Sequence, residues 1–263
     1  MLAFLPHPAV ADPDTFIAGW LRQFVHYWTS AEFATQIAGA WPQKATQVND
    51  RSGYGNHIAQ AVDATRATVA VQVGHGAALV FAGAQGYTSA GNVTLGAGSP
   101  TWVALIASIR DDAAAGINRE FWAYGDVWGA TLVGSWEVGF WDAATAGSFL
   151  ISALNTGFAG QMYRGTGALA KVDRSVATLW DVSQNPDTQT ITNTLGVDIS
   201  TPGVAGNSTA ALVARVIRVG RGAVAAPFTG ALYDLVVLTG TGAPPVATIT
   251  AITQALARKR ATV

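Results

Sequence analysis

The chain has no cysteine, which excludes disulfides, thiolate metal sites and cysteine nucleophiles. Charge is scarce too. Asp, Glu, Lys and Arg make up 12% of the 263 residues, about half the usual share of roughly 25%. The net charge of −1 gives the whole molecule no attraction for nucleic acid or an anionic membrane surface. No apolar run reaches the roughly 18 residues of a transmembrane helix. Met1–Val10 lacks a basic stretch and is interrupted by Pro6 and Pro8, so it does not read as a secretory signal.

What the chain does have is apolar side chains and glycine. Half of its residues are hydrophobic and 29 are Gly, which excludes a disordered chain and supports a sizeable core. Gly recurs between short apolar runs, the spacing of many short strands joined by tight turns. Strands are expected over Thr68–Val73, Ala78–Phe81, Thr101–Ile109, Phe121–Tyr124 and Ser135–Trp141. Further strands are expected over Phe149–Ala153, Val176–Asp181, Ala211–Val219 and Ala231–Leu238. In Trp102–Ile109 the set Val103, Leu105, Ala107 and the set Trp102, Ala104, Ile106, Ser108 take opposite faces. Both sets are largely apolar, as in a strand inside a layered sandwich.

Two windows carry helical periodicity. In Asp14–Trp28 the residues Phe16, Ile17, Trp20, Leu21, Phe24, Val25 and Trp28 share one face, with Asp12 or Asp14 to cap it. This helix either packs on its own sandwich or docks on another subunit through Trp20, Phe24 and Trp28. In Pro245–Lys259 the buried stripe is Ile249, Ile252, Leu256 and Thr253. The cations Arg258, Lys259 and Arg260 suit its C-terminal pole. The division expected is an arm over 1–38, a sandwich over 39–244 and a terminal helix over 245–263.

The most distinctive segment is Asn49-Asp50-Arg51-Ser52-Gly53-Tyr54-Gly55-Asn56-His57-Ile58-Ala59-Gln60. Asp50 and Asn56 suit bonds to nearby backbone N–H groups, the glycines allow positive φ, and His57 and Gln60 can fix the loop. Those properties describe a folded turn before a catalytic site. Arg66-Ala67-Thr68, Leu79-Val80-Phe81-Ala82-Gly83, Arg218-Val219-Gly220 and Phe228-Thr229-Gly230-Ala231-Leu232-Tyr233-Asp234-Leu235 follow. Together these stretches resemble the concanavalin A-like, laminin G-like domains of bacteriophage virion proteins, tail- or head-associated. The departures are Ala67 where that family usually has Pro and Ala82 where it has Asp. The resemblance implies an all-β jelly-roll sandwich of two antiparallel sheets. It also implies a range of roles from glycan or protein binding to virion structure and, in distant branches, polysaccharide cleavage.

Candidate chemistry is thin. Glu137-Val138-Gly139-Phe140-Trp141-Asp142 resembles an E-x-D-x-x-E strand of β-jelly-roll glycoside hydrolases, but Gly139 replaces the middle carboxylate. His7, His26, His57 and His75 show no metal spacing. Asp111, Asp112, Asp126 and Asp142 form no calcium loop, so neither metal nor cofactor is expected. Gly165-Thr166-Gly167-Ala168-Leu169-Ala170 lacks the strand and helix of a dinucleotide site. Nine tryptophans are present, and Trp122, Tyr124, Trp128, Trp136 and Trp141 crowd one window. They are either core or a contact surface for glycan or a neighbouring subunit.

The expectation is therefore a non-enzymatic structural or adhesion component of a bacteriophage or phage-like particle, located in the virion. Its expected partners are other virion proteins, copies of itself and a host surface polysaccharide, without nucleic acid or membrane insertion. The alternatives are a glycoside hydrolase and a free carbohydrate-binding module.

Overall fold

A computed structural model describes residues 26–29, 35–38, 43–72, 76–95, 100–112, 119–125, 135–140, 149–154, 161–165, 174–181, 188–192, 200–202, 214–221 and 226–261. The strands are β1 (His26–Thr29), β2 (Thr35–Ala38), β3 (Lys44–Val48), β4 (Ile58–Ala59), β5 (Thr68–Gln72) and β6 (Gly76–Ala82). Then come β7 (Tyr87–Ser89), β8 (Trp102–Asp111), β9 (Arg119–Tyr124), β10 (Ser135–Phe140), β11 (Phe149–Leu154) and β12 (Gln161–Gly165). The last are β13 (Arg174–Asp181), β14 (Thr188–Thr192), β15 (Ser200–Pro202), β16 (Ile217–Val219), β17 (Ala226–Pro227) and β18 (Thr229–Gly240). Among the described residues one α-helix, α1, spans Val246–Ala261.

Pairing is antiparallel except for the short β17, which runs parallel to β9. β14, β13, β8 and β18 are neighbours in that order. The other edge of β18 is shared end to end: Thr229–Leu232 pair with β6 and Asp234–Val237 pair with β1. A second run of neighbours goes β4, β7, β16, β9, β10, β11, β12, β15. The two runs meet through β3, which pairs with β4 and, at Lys44, with β5.

The sheet curls so that its distant parts share one core. Val103 and Leu105 of β8 and Trp180 of β13 join Trp122 of β9 and Trp136 of β10 in a single buried cluster. β10 and β13 are not paired, yet the Trp136 and Trp180 rings lie 6.1 Å apart. That is packing across a sandwich, where two inner faces interdigitate.

β8 buries both faces. Val103, Leu105, Ala107 and Ile109 point into the main core. Trp102, Ala104 and Ile106 point the other way and meet Ile249, Ile252 and Leu256 of α1. The period-two pattern with two apolar faces thus has a simple cause: the helix covers the outer side. Burying each such side chain contributes about 1.5–3 kcal/mol. Pro245 starts the helix by accepting the Ile249 N–H at 3.0 Å, and Thr253, fully buried, bonds back to the Ile249 carbonyl at 2.8 Å.

The end of the N-terminal window differs from expectation; residues 14–25 lie outside the described residues. No helix covering Trp28 is present; His26–Thr29 form β1, with Trp28 opposite Leu235 of β18. Beyond β6, the edge of β18 offers unpaired backbone groups, and His-Tyr-Trp-Thr, aromatic and β-branched, is a good strand sequence to fill it. Trp28 is buried in the main core, and its indole N–H donates to the Asn56 carbonyl at 3.0 Å. It is therefore a core residue here, not part of a docking face. Trp20 and Phe24 lie outside the described residues. No helix among the described residues is long and apolar enough to cross a membrane.

Candidate functional site

The segment after β3 folds as a self-bonded loop. The Asp50 carboxylate accepts the Ser52 N–H at 2.9 Å and the Asn56 N–H at 3.1 Å. The Asp50 N–H donates to His57 Nδ1 at 3.0 Å. Gly53 and Gly55 take φ of 90° and 72°, values that favour glycine. The loop lifts Tyr54 to an exposed tip. The Asp50, Ser52 and His57 side chains of the motif are thus engaged in shaping the loop.

Gln60 continues this frame into a cleft. Its amide N–H donates to the Gly86 carbonyl at 2.7 Å, and its side-chain oxygen accepts the Val62 N–H at 3.0 Å. A single 3₁₀ turn follows at Asp63–Thr65. Arg66 clamps that turn, donating to the carbonyls of Gln60 at 2.8 Å and Ala61 at 2.7 Å. The Thr65 carbonyl in turn accepts the Gly86 N–H at 3.1 Å.

Tyr87, beside Gly86, forms the floor. Its hydroxyl points inward, donating to the Ala45 carbonyl and accepting the Ala67 N–H, each at 2.9 Å. Burial pushes the Tyr87 phenol pKa well up, against a smaller opposing effect of the hydrogen bond to Ala67. Burial likewise raises Tyr124.

The opposite wall comes from β16. Ile217 and Val219 are buried and Arg218 between them is not, so alternation turns Arg218 outward. Arg218 lies in register with Thr88 of β7 and Ala123 of β9 and donates to the Gly125 carbonyl at 3.2 Å. Gly220 then turns the chain with φ of 81°, over the Phe81 ring, which occupies the space a side chain would need. The turn sets exposed Arg221 over Gly86, so close that a Cβ on Gly86 would sit 2.8 Å from the Arg221 Cβ.

The result is an open cleft of about 400 Å³ lined by Gln60, Thr65, Thr88, Arg218 and Arg221, with Val62, Ala84, Gly86 and Tyr87 as its apolar and backbone parts. None of its lining residues is acidic. Sequence reasoning stated none of this. Its one signal was the Gln60 of the motif, which fixes Gly86.

The aromatic window divides. Trp122, Tyr124 and Trp136 are fully buried. Trp122 packs edge-on to Trp136 at 5.2 Å and stacks on Tyr124 at 6.3 Å. Alternation along β9 and β10 turns them inward, so they supply core area instead of a sugar platform. Trp128 and Trp141 lie outside the described residues. In the carboxylate window, Glu137 sits in β10 opposite Ala123 and Ser152, and Asp142 lies outside the described residues. Asp112 is held by Arg110 through bonds of 2.8 and 2.9 Å. Among the described residues no three His, Asp or Glu side chains converge as metal ligands do.

No family model matches the chain, and no curated protein matches it. Solved structures do. An arabinofuranosidase complexed with arabinofuranosyl-α-1,2-xylobiose has a TM-score of 0.46 at 13% identity, covering 81% of this chain and 51% of its own. This chain therefore spans about half of that enzyme's length. The CBM40 of a Ruminococcus gnavus IT-sialidase, bound to α2,3 sialyllactose, has a TM-score of 0.42 at 16% identity, covering 59% and 83%. Domain 4 of a GH43 extracellular arabinanase from Geobacillus stearothermophilus, in complex with arabinotriose, has a TM-score of 0.46 at 13% identity, covering 72% and 81%. These neighbours are carbohydrate-binding domains and glycoside hydrolases. The expectation that the chain is not an enzyme is accordingly corrected: arabinofuranosidases stand among its structural neighbours, and a non-enzymatic assignment is withdrawn.

Proposed function

We propose that this chain is a glycan-binding β-sandwich module and that the glycan sits in the cleft over Gly86. The observation that carries this reading is the composition of that cleft. Hydroxyl, amide and guanidinium groups surround a floor of Tyr87 and Gly86, in a volume of about 400 Å³. Cavities of roughly 300–1,000 Å³ suit a small ligand, and hydroxyl, amide and guanidinium groups around it can bond the hydroxyls of a sugar. The floor is pre-formed, because Gln60, Thr65 and the Tyr87 hydroxyl are already tied to backbone. Little ordering is left to oppose binding.

Isothermal titration with 3′-sialyllactose, arabinotriose and arabinofuranosyl-xylobiose tests it, with released sugar assayed in the same mixtures. Saturable heat with at least one glycan, abolished by Thr88→Trp, which fills the cleft at the exposed Thr88 without adding charge, is the expected result. Heat that is unchanged in Thr88→Trp moves the site elsewhere. No heat with any glycan ends the reading.

The resemblance of Asp50–Gln60 to bacteriophage virion domains supports a second proposal. The module is carried on a phage or phage-like particle, among other virion proteins and copies of itself, and meets a host surface polysaccharide as a jelly-roll adhesin. Many copies would raise avidity without a strong single site. Immunogold imaging of purified particles tests this, and unlabelled particles would sink it.

A further inference from the structure

We infer that the ligand of the Gly86 cleft is an acidic glycan, and that Arg221 is the residue that reads its negative charge. The inference rests on the glycan-binding reading and specifies its ligand class.

Three observations converge. First, Arg218 and Arg221 both line the cleft while no acidic residue does. Just outside it, the Asp63 carboxylate is already engaged, at 2.7 Å by Lys44 and at 3.3 Å by Arg66. Those bonds hold the Asp63 carboxyl below the usual carboxylate range, with the Lys44 hydrogen bond the largest cause. Lys44 and Arg66 thus occupy Asp63, and the two cleft arginines face no acidic lining residue, in a chain whose net charge is −1. A local excess of one sign in an otherwise balanced, charge-poor molecule raises the local concentration of ligands of the other sign.

Second, the two arginines differ in state. Arg218 is half-buried and anchored on the Gly125 carbonyl. Arg221 is exposed, and among the described residues its guanidinium has no hydrogen-bond or ion-pair partner. A planar guanidinium presents a fork of donors that fits a carboxylate through two parallel bonds.

Third, the backbone is built to hold Arg221 there. Gly220 adopts the left-handed conformation with the Phe81 ring beneath it, and Gly86 leaves the space that the Arg221 Cβ fills. The Gly220 N–H and carbonyl are bonded to the Phe121 carbonyl at 2.9 Å and the Phe228 N–H at 2.8 Å. Arg221 therefore follows directly on a corner that is bonded through both Gly220 backbone groups.

The test uses matched pairs on one array: trigalacturonate, a hyaluronan tetrasaccharide and 3′-sialyllactose, each beside the same sugar with its carboxyl reduced to a primary alcohol. The unsubstituted chain, Arg221→Gln and Arg221→Lys are compared. The expected result is that the chain binds an acidic member about ten- to a hundredfold tighter than its reduced partner, as for a charge-assisted bond. That preference should vanish in Arg221→Gln, survive in part in Arg221→Lys and shrink with added salt. Equal binding of both members of a pair overturns the acidic inference while leaving glycan binding intact. An acidic preference that persists in Arg221→Gln overturns the role of Arg221. Binding to no member of any pair removes the inference together with the reading it rests on. Arg221 is exposed, so its variants are expected to fold, which a thermal melt confirms.

Discussion

The Lys259 ammonium of α1 lies 2.9 Å from the Asp234 carboxylate of β18, which has no exposed surface of its own. The pair ties the last helical turn to the strand just past the β18 bulge at Leu232/Asp234. Lys259→Met takes the Lys259 cation from a buried carboxylate and is expected to cost about 3–5 kcal/mol. The double variant Asp234→Leu/Lys259→Met should recover most of that loss, because the desolvation penalty goes with the charges. Urea midpoints of the three proteins measure both effects.

Alkali should weaken the fold through Tyr87. Its phenol has a folded pKa raised by burial above the ordinary tyrosine value of 10.0. The stability it contributes is fully present below about pH 10 and is lost as pH rises towards the folded value, since only the unfolded phenol ionises there. The loss is about 1.4 kcal/mol per pH unit in that window. Unfolding free energies from pH 8 to 11.5 should fall more steeply in the natural chain than in Tyr87→Phe. At neutral pH the variant should be weaker by about 1–3 kcal/mol, because it leaves the Ala67 N–H and Ala45 carbonyl without the hydroxyl.

Gly220→Ala should lose both stability and ligand. A methyl group there meets the Phe81 ring and forces an L-residue to a φ of 81°. A penalty of about 1–3 kcal/mol for the conformation alone is expected, with the steric clash added to it. Glycan affinity should drop further than stability does, because Arg221 is aimed by this residue. Titration below the melting range separates the two.

Asp50→Ala removes the acceptor for both the Ser52 and Asn56 N–H groups. A cost of about 1–3 kcal/mol is expected, with fast hydrogen exchange at those two amides. Exchange that stays slow would show that the loop is held by other bonds.

Much of the scaffold was legible in the sequence. Period-two alternation located Trp102–Ile109 correctly because that strand is covered on both sides. The Ile249, Ile252 and Leu256 stripe located α1 because a helix lying on a sheet must bury one face. The end of the N-terminal window misled for a physical reason. Its last three residues, His26–Trp28, fit a helical stripe and a strand equally well, and the open edge of β18 decides between them. The cleft was not legible at all. Its residues stand near 60, 86 and 220, and no local pattern joins them. The tryptophans drew notice by number, yet Trp122 and Trp136 are where large rings usually are, inside.

The cleft has no wall that is local in sequence. Gln60, Gly86 and Arg221 come together only after β4, β7 and β16 have found one another in register. Contacts of such separation form late, since loop closure must precede them. Capture of ligand therefore doubles as a certificate of completed folding, and saturating ligand would raise the melting temperature by mass action. A peptide carrying any one of the three segments, or a graft of one onto another scaffold, would carry no site.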